Sequence, residues 1–157
     1  MSDTDANAAA VDQVDVRGPR FAAWVTTGVL VAVILLSAVN VPAATALLAV
    51  QAVVFAVGAA RGPRRHPYGL LYANLVAPRL GPVTEREPVP PLRFAQLVGL
   101  AFAVAGLIGF GSGLHLAGVI ATAFALSAAF LNAAFGICLG CKIYPLVTRL
   151  RPVGDRA

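Results

Sequence analysis

Apolar residues along this chain are gathered into four long runs, which short polar or glycine- and proline-rich stretches separate. The runs cover residues 21–39, 42–60, 94–114 and 116–139, and none of them contains Asp, Glu, Lys or Arg. Because a helix rises about 1.5 Å per residue, roughly 20 apolar residues cross a hydrocarbon core about 30 Å thick. The pattern therefore predicts four transmembrane helices.

Tight turns connect these helices in pairs. Asn40 and Pro42 separate the first two runs, and Gly111, Gly113 and His115 mark the turn between the last two. Proline suits the first turn of a helix, where its missing N–H is not needed. We therefore expect an all-α polytopic membrane protein, with four transmembrane helices arranged as two antiparallel hairpins and short interfacial helices between them.

Composition excludes an ordinary soluble domain. The chain is 59% hydrophobic and only 12% charged, whereas soluble domains are about 45–50% apolar and about 25% charged. The formal net charge of +5 is no signal for nucleic acid, because all 12 Lys and Arg residues lie outside the apolar runs. Basic residues next to membrane helices meet lipid headgroups, so the bilayer is the expected partner and nucleic acid is not.

The basic residues also predict an orientation. They lie in the two tails and in the middle segment, and the two short turns carry none. By the positive-inside rule, both termini and the middle segment face the cytoplasm. Arginine in preference to lysine and heavy use of Ala and Val fit a bacterium, so the expected location is the bacterial cytoplasmic (inner) membrane. A cleaved signal peptide ending near residues 41–43 is the alternative for the first run, which is long for that role.

Three regions follow from this pattern. Residues 1–16 are polar and acidic and predict a disordered cytoplasmic tail. Residues 17–152 form the membrane domain, and residues 153–157 form a C-terminal tail. Within the membrane domain, residues 67–76 are apolar enough to form a short helix in the interface, with Tyr68 and Tyr72 at the level of the headgroups.

A weak internal repeat relates the two hairpins. The tripeptide Arg-Phe-Ala opens the first hairpin at residues 20–22 and the second at residues 93–95. A segment with Tyr and Pro follows each hairpin. The pattern suggests two parallel copies of one unit, each with two spans and an interfacial piece. Chance similarity in a chain rich in Ala, Val and Leu is the alternative, and both interpretations stay open at this point.

The strongest chemical signal is the pair Cys138 and Cys141, the only cysteines in the chain. Cysteines at this spacing form a disulfide, exchange thiols or bind metal. The pair is predicted at the end of the fourth helix, where the helix dipole opposes a thiolate. Gly136 and Gly140 can break the helix there, and Lys142 supplies a positive charge. The alternative is that both cysteines are small packing residues.

Roles for the two thiols follow from their predicted positions. Cys141 lies nearer to water and to Lys142, so we expect it to attack first, with Cys138 resolving from the lipid side. A cytoplasmic location would keep a structural disulfide reduced, so a disulfide at this place is expected to be transient or catalytic.

Cofactor chemistry has little support in the sequence. Residue 142 is Lys where a c-type haem motif needs His. A zinc site needs about four ligands, but His66 is the one histidine predicted on the side of the cysteines and His115 lies on the other. We expect neither a cofactor nor a metal. Since the spans carry no ionisable residue, a proton-driven pump or a voltage sensor is also disfavoured.

Several stretches resemble a known family. They are DVRGPRF at 15–21, PYGL at 67–70, PRLGP at 78–82, RFAQ at 93–96 and FLNAAFGICLGC at 130–141. They are similar to the bacterial membrane proteins of domain of unknown function 4395, over about residues 14–151. The resemblance implies a four-helix inner-membrane protein. Some members occur beside thioredoxin-like and sulfurtransferase proteins, which implies thiol or sulfur handling with Cys138 and Cys141 as the matching pair.

The sequence therefore supports two candidate functions. The first is a membrane thiol-redox or sulfur-relay component, in which Cys138 and Cys141 exchange with a thioredoxin-like or sulfurtransferase partner. The second is a non-catalytic membrane subunit or anchor for a partner protein, in which the cysteines only pack. A small-molecule channel is a distant third.

Overall fold

Four long helices dominate the computed structural model, which describes residues 12–150. They are α1 (Arg17–Ser37), α2 (Val41–Arg61), α4 (Val89–Gly111) and α5 (His115–Phe135). All four are long and apolar enough to cross a membrane. The predicted all-α polytopic fold is thus confirmed.

Shorter elements join and follow these helices. Helix α3 (Pro67–Leu71) continues into a π-helical turn (Tyr72–Val76) and a 3₁₀ turn (Ala77–Arg79), and helix α6 (Leu139–Leu150) follows α5. Strands β1 (Gln13–Asp15) and β2 (Arg86–Pro88) form a small antiparallel pair in which Val14 lies opposite Glu87. These short elements all lie at one end of the bundle, which we call the terminal face. The opposite end, with the two tight turns, is the turn face.

The four long helices form a closed ring. Helix α1 packs against α2 and α5, and α4 packs against the same two helices. Leu30, Leu48, Phe55 and Phe110 lie in the shared apolar core. At the turn face, the imidazole Nε2 of His115 lies 3.0 Å from the carbonyl oxygen of Ser37, so the second hairpin is tied to the end of α1.

The C-terminal part of the predicted tail, residues 12–16, is structured. Asp15 accepts hydrogen bonds from the Arg17 side chain (Nε to Oδ2, 3.0 Å) and from the Tyr72 hydroxyl (3.1 Å). The bond from Arg17 lowers the pKa of the Asp15 carboxyl. Residues 12–16 therefore join the fold, contrary to the disorder predicted for 1–16, while residues 1–11 and 151–157 lie outside the described residues.

Three helix boundaries differ by four or more residues from those predicted, and the first of them is the start of α1, at Arg17 and not at residue 21. Helix α4 begins at Val89 and not at residue 94, because its two prolines sit in the first turn, where a helix tolerates them. Helix α5 ends at Phe135 and not at residue 139, because Gly136 takes a left-handed conformation with φ 67°. Hydropathy alone predicts neither the early start of α4 nor the early end of α5.

The two hairpins make equivalent contacts. Phe21 at the start of α1 lies 5.8 Å from the ring of Tyr72, in the segment that follows the first hairpin. Phe94 at the start of α4 lies 5.9 Å from the ring of Tyr144, in the segment that follows the second. These are the phenylalanines of the repeated Arg-Phe-Ala tripeptide.

The arginines of the same tripeptide reach across to the other hairpin. Arg93 donates to the carbonyl oxygens of Ala59 (2.9 Å) and Ala60 (2.8 Å) at the end of α2. Arg20 donates to the carbonyl oxygen of Ala133 (3.4 Å) at the end of α5. Each half thus caps the last helix of the other, which supports two copies of one unit over chance similarity.

Candidate functional site

Cys138 and Cys141 are joined by a disulfide, with their Cα atoms 5.2 Å apart. Cys138 directly precedes α6 and acts as its cap: the backbone N–H of Cys141 donates to Cys138 Sγ (3.2 Å), and the N–H of Lys142 donates to the Cys138 carbonyl oxygen (3.1 Å). The pair therefore begins a helix, where the sequence suggested that it ends one. At a helix N-terminus the dipole and the free N–H groups stabilise negative charge on sulfur.

Gly136 makes this placement possible. Its N–H donates to the Asn132 carbonyl oxygen (3.0 Å), and the N–H of Ile137 donates to that of Leu131 (3.2 Å). This pattern ends a helix with a residue in the left-handed region, which glycine adopts without steric cost. The chain then turns and starts α6 with a new axis.

Helix α6 lies directly on α4. Gly140 is buried against Ala95, and a Cβ added to Gly140 would lie 2.6 Å from the Ala95 Cα. No side chain fits at this contact, so glycine fixes how closely the disulfide approaches α4. The outer face of α6 carries exposed Ile143, Leu146 and Leu150, as is typical of an amphipathic helix in a membrane interface.

A cavity of about 590 Å³ lies between α1, α4 and α5, in the half of the bundle next to the terminal face. Cys138 borders it, whereas Cys141 does not. Most of the wall is apolar. Its lining includes Ala22, Ala23, Thr26, Phe55, His66, Ala95, Gln96, Gly99, Phe102, Phe124, Ala128, Asn132, Cys138 and Ile143. Since both cysteines are only partly buried, the difference between them is which one faces the cavity.

His66 also borders the cavity and is only 2% exposed. It directly precedes α3 and lies beside Gly58 and Gln96. Within residues 12–150 neither ring nitrogen of His66 has a hydrogen-bond partner, nor does the Gln96 side-chain oxygen. Burial lowers the pKa of His66 to about 4, with the nearby Gln96 offsetting part of that effect. The imidazole is therefore neutral at pH 7.

Tyr68 and Tyr72 turn inward and do not extend toward the headgroups as predicted. The Tyr68 hydroxyl donates to Gln51 Oε1 (2.8 Å) in α2, where Gln51 is fully buried. Tyr72 is 6% exposed and bonds Asp15. Burial raises the pKa of both phenols. These contacts hold the segment that carries His66 against the bundle.

Sequence reasoning found the cysteines but not the site around them. For His66 the sequence suggests a metal ligand or, with Arg64 and Arg65, a contact with anionic lipid or a partner, and its burial has no periodic signature in a proline-rich segment. Its position directly before Pro67 and an apolar stretch is the one available hint. Within the described part of the chain, no group of three or more His, Cys, Asp or Glu is placed to hold a metal ion.

A family model described as a domain of unknown function (DUF4395) matches residues 14–149. The chain belongs to this family. The DUF4395 match includes all four long helices and both cysteines, and it confirms the resemblance seen in the sequence motifs. No curated protein and no solved structure matches the chain. The description of the DUF4395 family names no activity.

Proposed function

We propose that this protein is a membrane thiol–disulfide exchange component that uses Cys138 and Cys141 as a reversible redox pair. The observation that carries the proposal is the disulfide at the start of α6, with Cys138 capping the helix and bordering a cavity. Redox-active pairs use this arrangement because a helix N-terminus stabilises the thiolate that leaves or attacks. A packing role for the cysteines needs neither the helix start nor the cavity.

The two cysteines divide the exchange between them. A partner thiolate attacks Cys141 Sγ, which lies away from the cavity. The bond between the two protein sulfurs breaks, a mixed disulfide forms on Cys141, and Cys138 leaves as the thiolate, stabilised by the N–H of Cys141. A second partner thiol then attacks the partner sulfur of the mixed disulfide, the bond to Cys141 breaks, and Cys141 leaves as the thiolate. The partner is oxidised to a disulfide, and the two protons that its thiols lose are taken up by Cys138 and Cys141.

The sequence supports one membrane setting for this exchange. We propose that the protein lies in the bacterial inner membrane with its terminal face toward the cytoplasm, because the basic residues lie in the tails and the middle segment. The thiol partner is then a cytoplasmic protein of the thioredoxin-like or sulfurtransferase type, and transfer of a persulfide sulfur is a variant of the same exchange. This partner would dock on the exposed residues of α6, which lie on the terminal face next to the lipid.

The test is a redox titration of the purified protein in detergent. Glutathione buffers of defined potential are equilibrated with the protein, and free thiols are counted by a mass-tagging alkylating reagent. We expect a single two-electron transition with a midpoint at roughly −150 to −320 mV, the range of exchange-active pairs and of the cell interior.

Single-cysteine variants test the division of roles. With a purified thioredoxin as the probe, Cys138→Ser should accumulate a mixed disulfide on Cys141, while Cys141→Ser should accumulate much less. If both wild-type thiols stay fully alkylatable at every potential, and neither variant traps the probe, exchange is excluded and the anchor function, with cysteines that only pack, takes its place.

A further inference from the structure

We propose that the cavity beside the disulfide binds a membrane quinone, and that this quinone takes the two electrons of the Cys138–Cys141 dithiol. The inference rests on the proposed function and names the second substrate of the same site. Exchange with a thiol partner at Cys141 leaves the pair reduced, and a cavity bordered by Cys138 is where the next acceptor must bind.

The size and depth of the cavity suit this ligand. Its volume of about 590 Å³ falls inside the range of roughly 300–1,000 Å³ for small-molecule sites. Phe124 borders it about three turns inside the end of α5, so the cavity reaches roughly 16 Å into the bundle. A quinone ring can therefore lie near Cys138 while its isoprenoid tail continues toward the acyl chains.

We infer that the ligand enters from the bilayer between α4 and α5, on the side of the terminal face. The two helices are in close contact near the turn face, where a Cβ on Gly109 would meet the backbone of Gly118. Further along the same two helices, toward the terminal face, the rings of Phe102 in α4 and Phe124 in α5 stack 5.7 Å apart. Closer to the terminal face, Gly99 and Ala128 both border the cavity.

Residues on this route belong to the cavity wall and to the outer surface at once. Phe124 is 58% exposed and Ile143 is 45% exposed, and both line the cavity. Since these are apolar surfaces on helices that cross or border the membrane, a lipid-soluble molecule enters sideways without passing through water.

The polar groups at the wall are few and uncharged in the inner part of the cavity. The uncharged polar residues of the lining include Thr26, His66, Gln96 and Asn132, whereas its charged residues, Asp15, Arg64 and Arg86, lie in the short segments of the terminal face. A neutral imidazole offers one N–H and one acceptor nitrogen, and neither ring nitrogen of His66 is bonded within residues 12–150. A quinone carbonyl accepts such an N–H, and the hydroxyl of a hydroquinone donates to such a nitrogen.

Other occupants satisfy fewer of these features. An acyl chain fills apolar volume but makes no use of the unbonded His66 and Gln96 atoms, and it accepts no electrons from a thiol. A charged metabolite finds countercharges only at Asp15, Arg64 and Arg86 on the terminal face, because no lining residue on the four long helices is charged. A quinone is lipid-soluble, carries two hydrogen-bond acceptors and is reduced by two electrons, which is the number released when a dithiol becomes a disulfide.

The proposed reaction balances. The two S–H bonds of reduced Cys138 and Cys141 break, and the S–S bond forms with the loss of two electrons and two protons. The quinone takes up both, so each of its carbonyl groups becomes a hydroxyl. The Cys138 sulfur faces the cavity and is the one that contacts the quinone, while Cys141 closes the disulfide. The net result is transfer of reducing equivalents from a partner thiol to the membrane quinone pool.

The experiment uses the full chain in detergent, reduced and freed of reductant without oxygen. Ubiquinone-1 or menadione is added, quinone loss is followed by absorbance, and thiols are counted by alkylation. We expect one quinone reduced for each disulfide formed. Ala128→Phe, which fills the cavity, should slow this reaction by roughly tenfold or more, while Ala117→Phe, an exposed site on the same helix outside the lining, should react like wild type.

Two further measurements separate the possible failures. Oxidation of each variant by glutathione disulfide should be unchanged in Ala128→Phe, and its thermal unfolding should match that of Ala117→Phe. Calorimetric binding of ubiquinone-1 to Cys138→Ala/Cys141→Ala should persist and be lost when Ala128→Phe is added. If glutathione oxidises the wild type but neither quinone does, or if Ala128→Phe reacts with quinone as fast as wild type, the quinone site is wrong and thiol exchange stands. If glutathione disulfide also leaves the thiols reduced, the proposed function itself fails.

Discussion

The two halves of this molecule place different residues at equivalent positions. In the first half, Gly62 with φ 80° directly follows α2, and His66 immediately precedes the next helix. In the second half, Gly136 with φ 67° directly follows α5, and Cys138 immediately precedes the next helix. Both residues border the same cavity. We call the two stretches the first closing segment (62–79) and the second closing segment (136–150).

The difference lies in chemistry more than in architecture. Each closing segment packs against the first helix of its own half, α3 on α1 and α6 on α4. One segment brings a buried neutral imidazole to the cavity and the other brings a disulfide. In the quinone reaction proposed above, these two groups complement each other in a two-electron, two-proton transfer. The following predictions test this comparison, beginning with the largest expected effect.

The first closing segment should make the protein acid-sensitive. Burial lowers the pKa of His66 from 6.5 to about 4, so between these values the unfolded chain binds a proton that the folded chain does not. The free energy of unfolding therefore falls as pH decreases through this window, by about 3 kcal/mol in total. Thermal unfolding in detergent at pH 7, 6, 5 and 4 measures it.

The matched control is His66→Phe, which keeps an aromatic ring against Tyr68. The difference between wild type and this variant removes the contributions of Asp15 and Glu87, whose pKa values are also shifted. If the Tm of the wild type and the Tm of His66→Phe fall equally as pH decreases, His66 is not buried as described.

The second closing segment should fail when its close contact is widened. In Gly140→Ala the new methyl group meets the Ala95 backbone, so α6 must move away from α4 at a cost of about 2 kcal/mol. We expect a lower Tm and faster alkylation of Cys138 after reduction. Gly111→Ala is the control, because nothing lies within 4 Å of its added Cβ. Equal Tm values for the two variants would contradict the contact.

The hydrogen bond from Tyr68 to Gln51 distinguishes the two halves. It joins the first closing segment to a buried amide in α2, and the described residues of the second closing segment have no equivalent bond. Tyr68→Phe leaves both polar atoms of Gln51 without a partner, which should cost about 1–2 kcal/mol. Adding Gln51→Leu removes the orphaned amide and should restore most of the loss. A double-mutant cycle on Tm that shows simple additivity would disprove the coupling.

The arginine caps test the equivalence itself and carry the smallest effect. Arg93→Gln removes two hydrogen bonds to the end of α2, and Arg20→Gln removes one longer bond to the end of α5. We expect Tm to fall by about 2 °C for Arg93→Gln and by less for Arg20→Gln. Arg79→Gln, on an exposed turn, serves as the control. A larger fall in Tm for Arg20→Gln than for Arg93→Gln would contradict this prediction.

Much of the fold follows from the sequence, because hydropathy and turn residues act locally. The four spans, the turns at Asn40 and Gly113, and the family were all read from the residues. The tripeptides at 20–22 and 93–95 suggest a repeat, and the contacts of Arg20 with α5 and of Arg93 with α2 support it over chance similarity. Those contacts join residues far apart in the chain, and no local pattern encodes them.

The site was predicted only in part for a related reason. A 24-residue apolar run from 116 to 139 suggested one uninterrupted helix, and the run does not show that Gly136 ends it. That single glycine moves Cys138 from the end of one helix to the start of another, with the opposite effect on a thiolate. The cavity and the buried His66 arise from three helices and a loop together, so they appear only in three dimensions.

The reciprocal arginine caps have a consequence for biogenesis. Carbonyl groups at the end of α2 accept from a guanidinium on α4, which leaves the ribosome later, and those at the end of α5 accept from a guanidinium on α1, which leaves it earlier. Neither hairpin is a finished unit when it enters the bilayer. Insertion of the second hairpin is therefore also the step that completes the first, and a truncated chain should be recognised and degraded as an orphan.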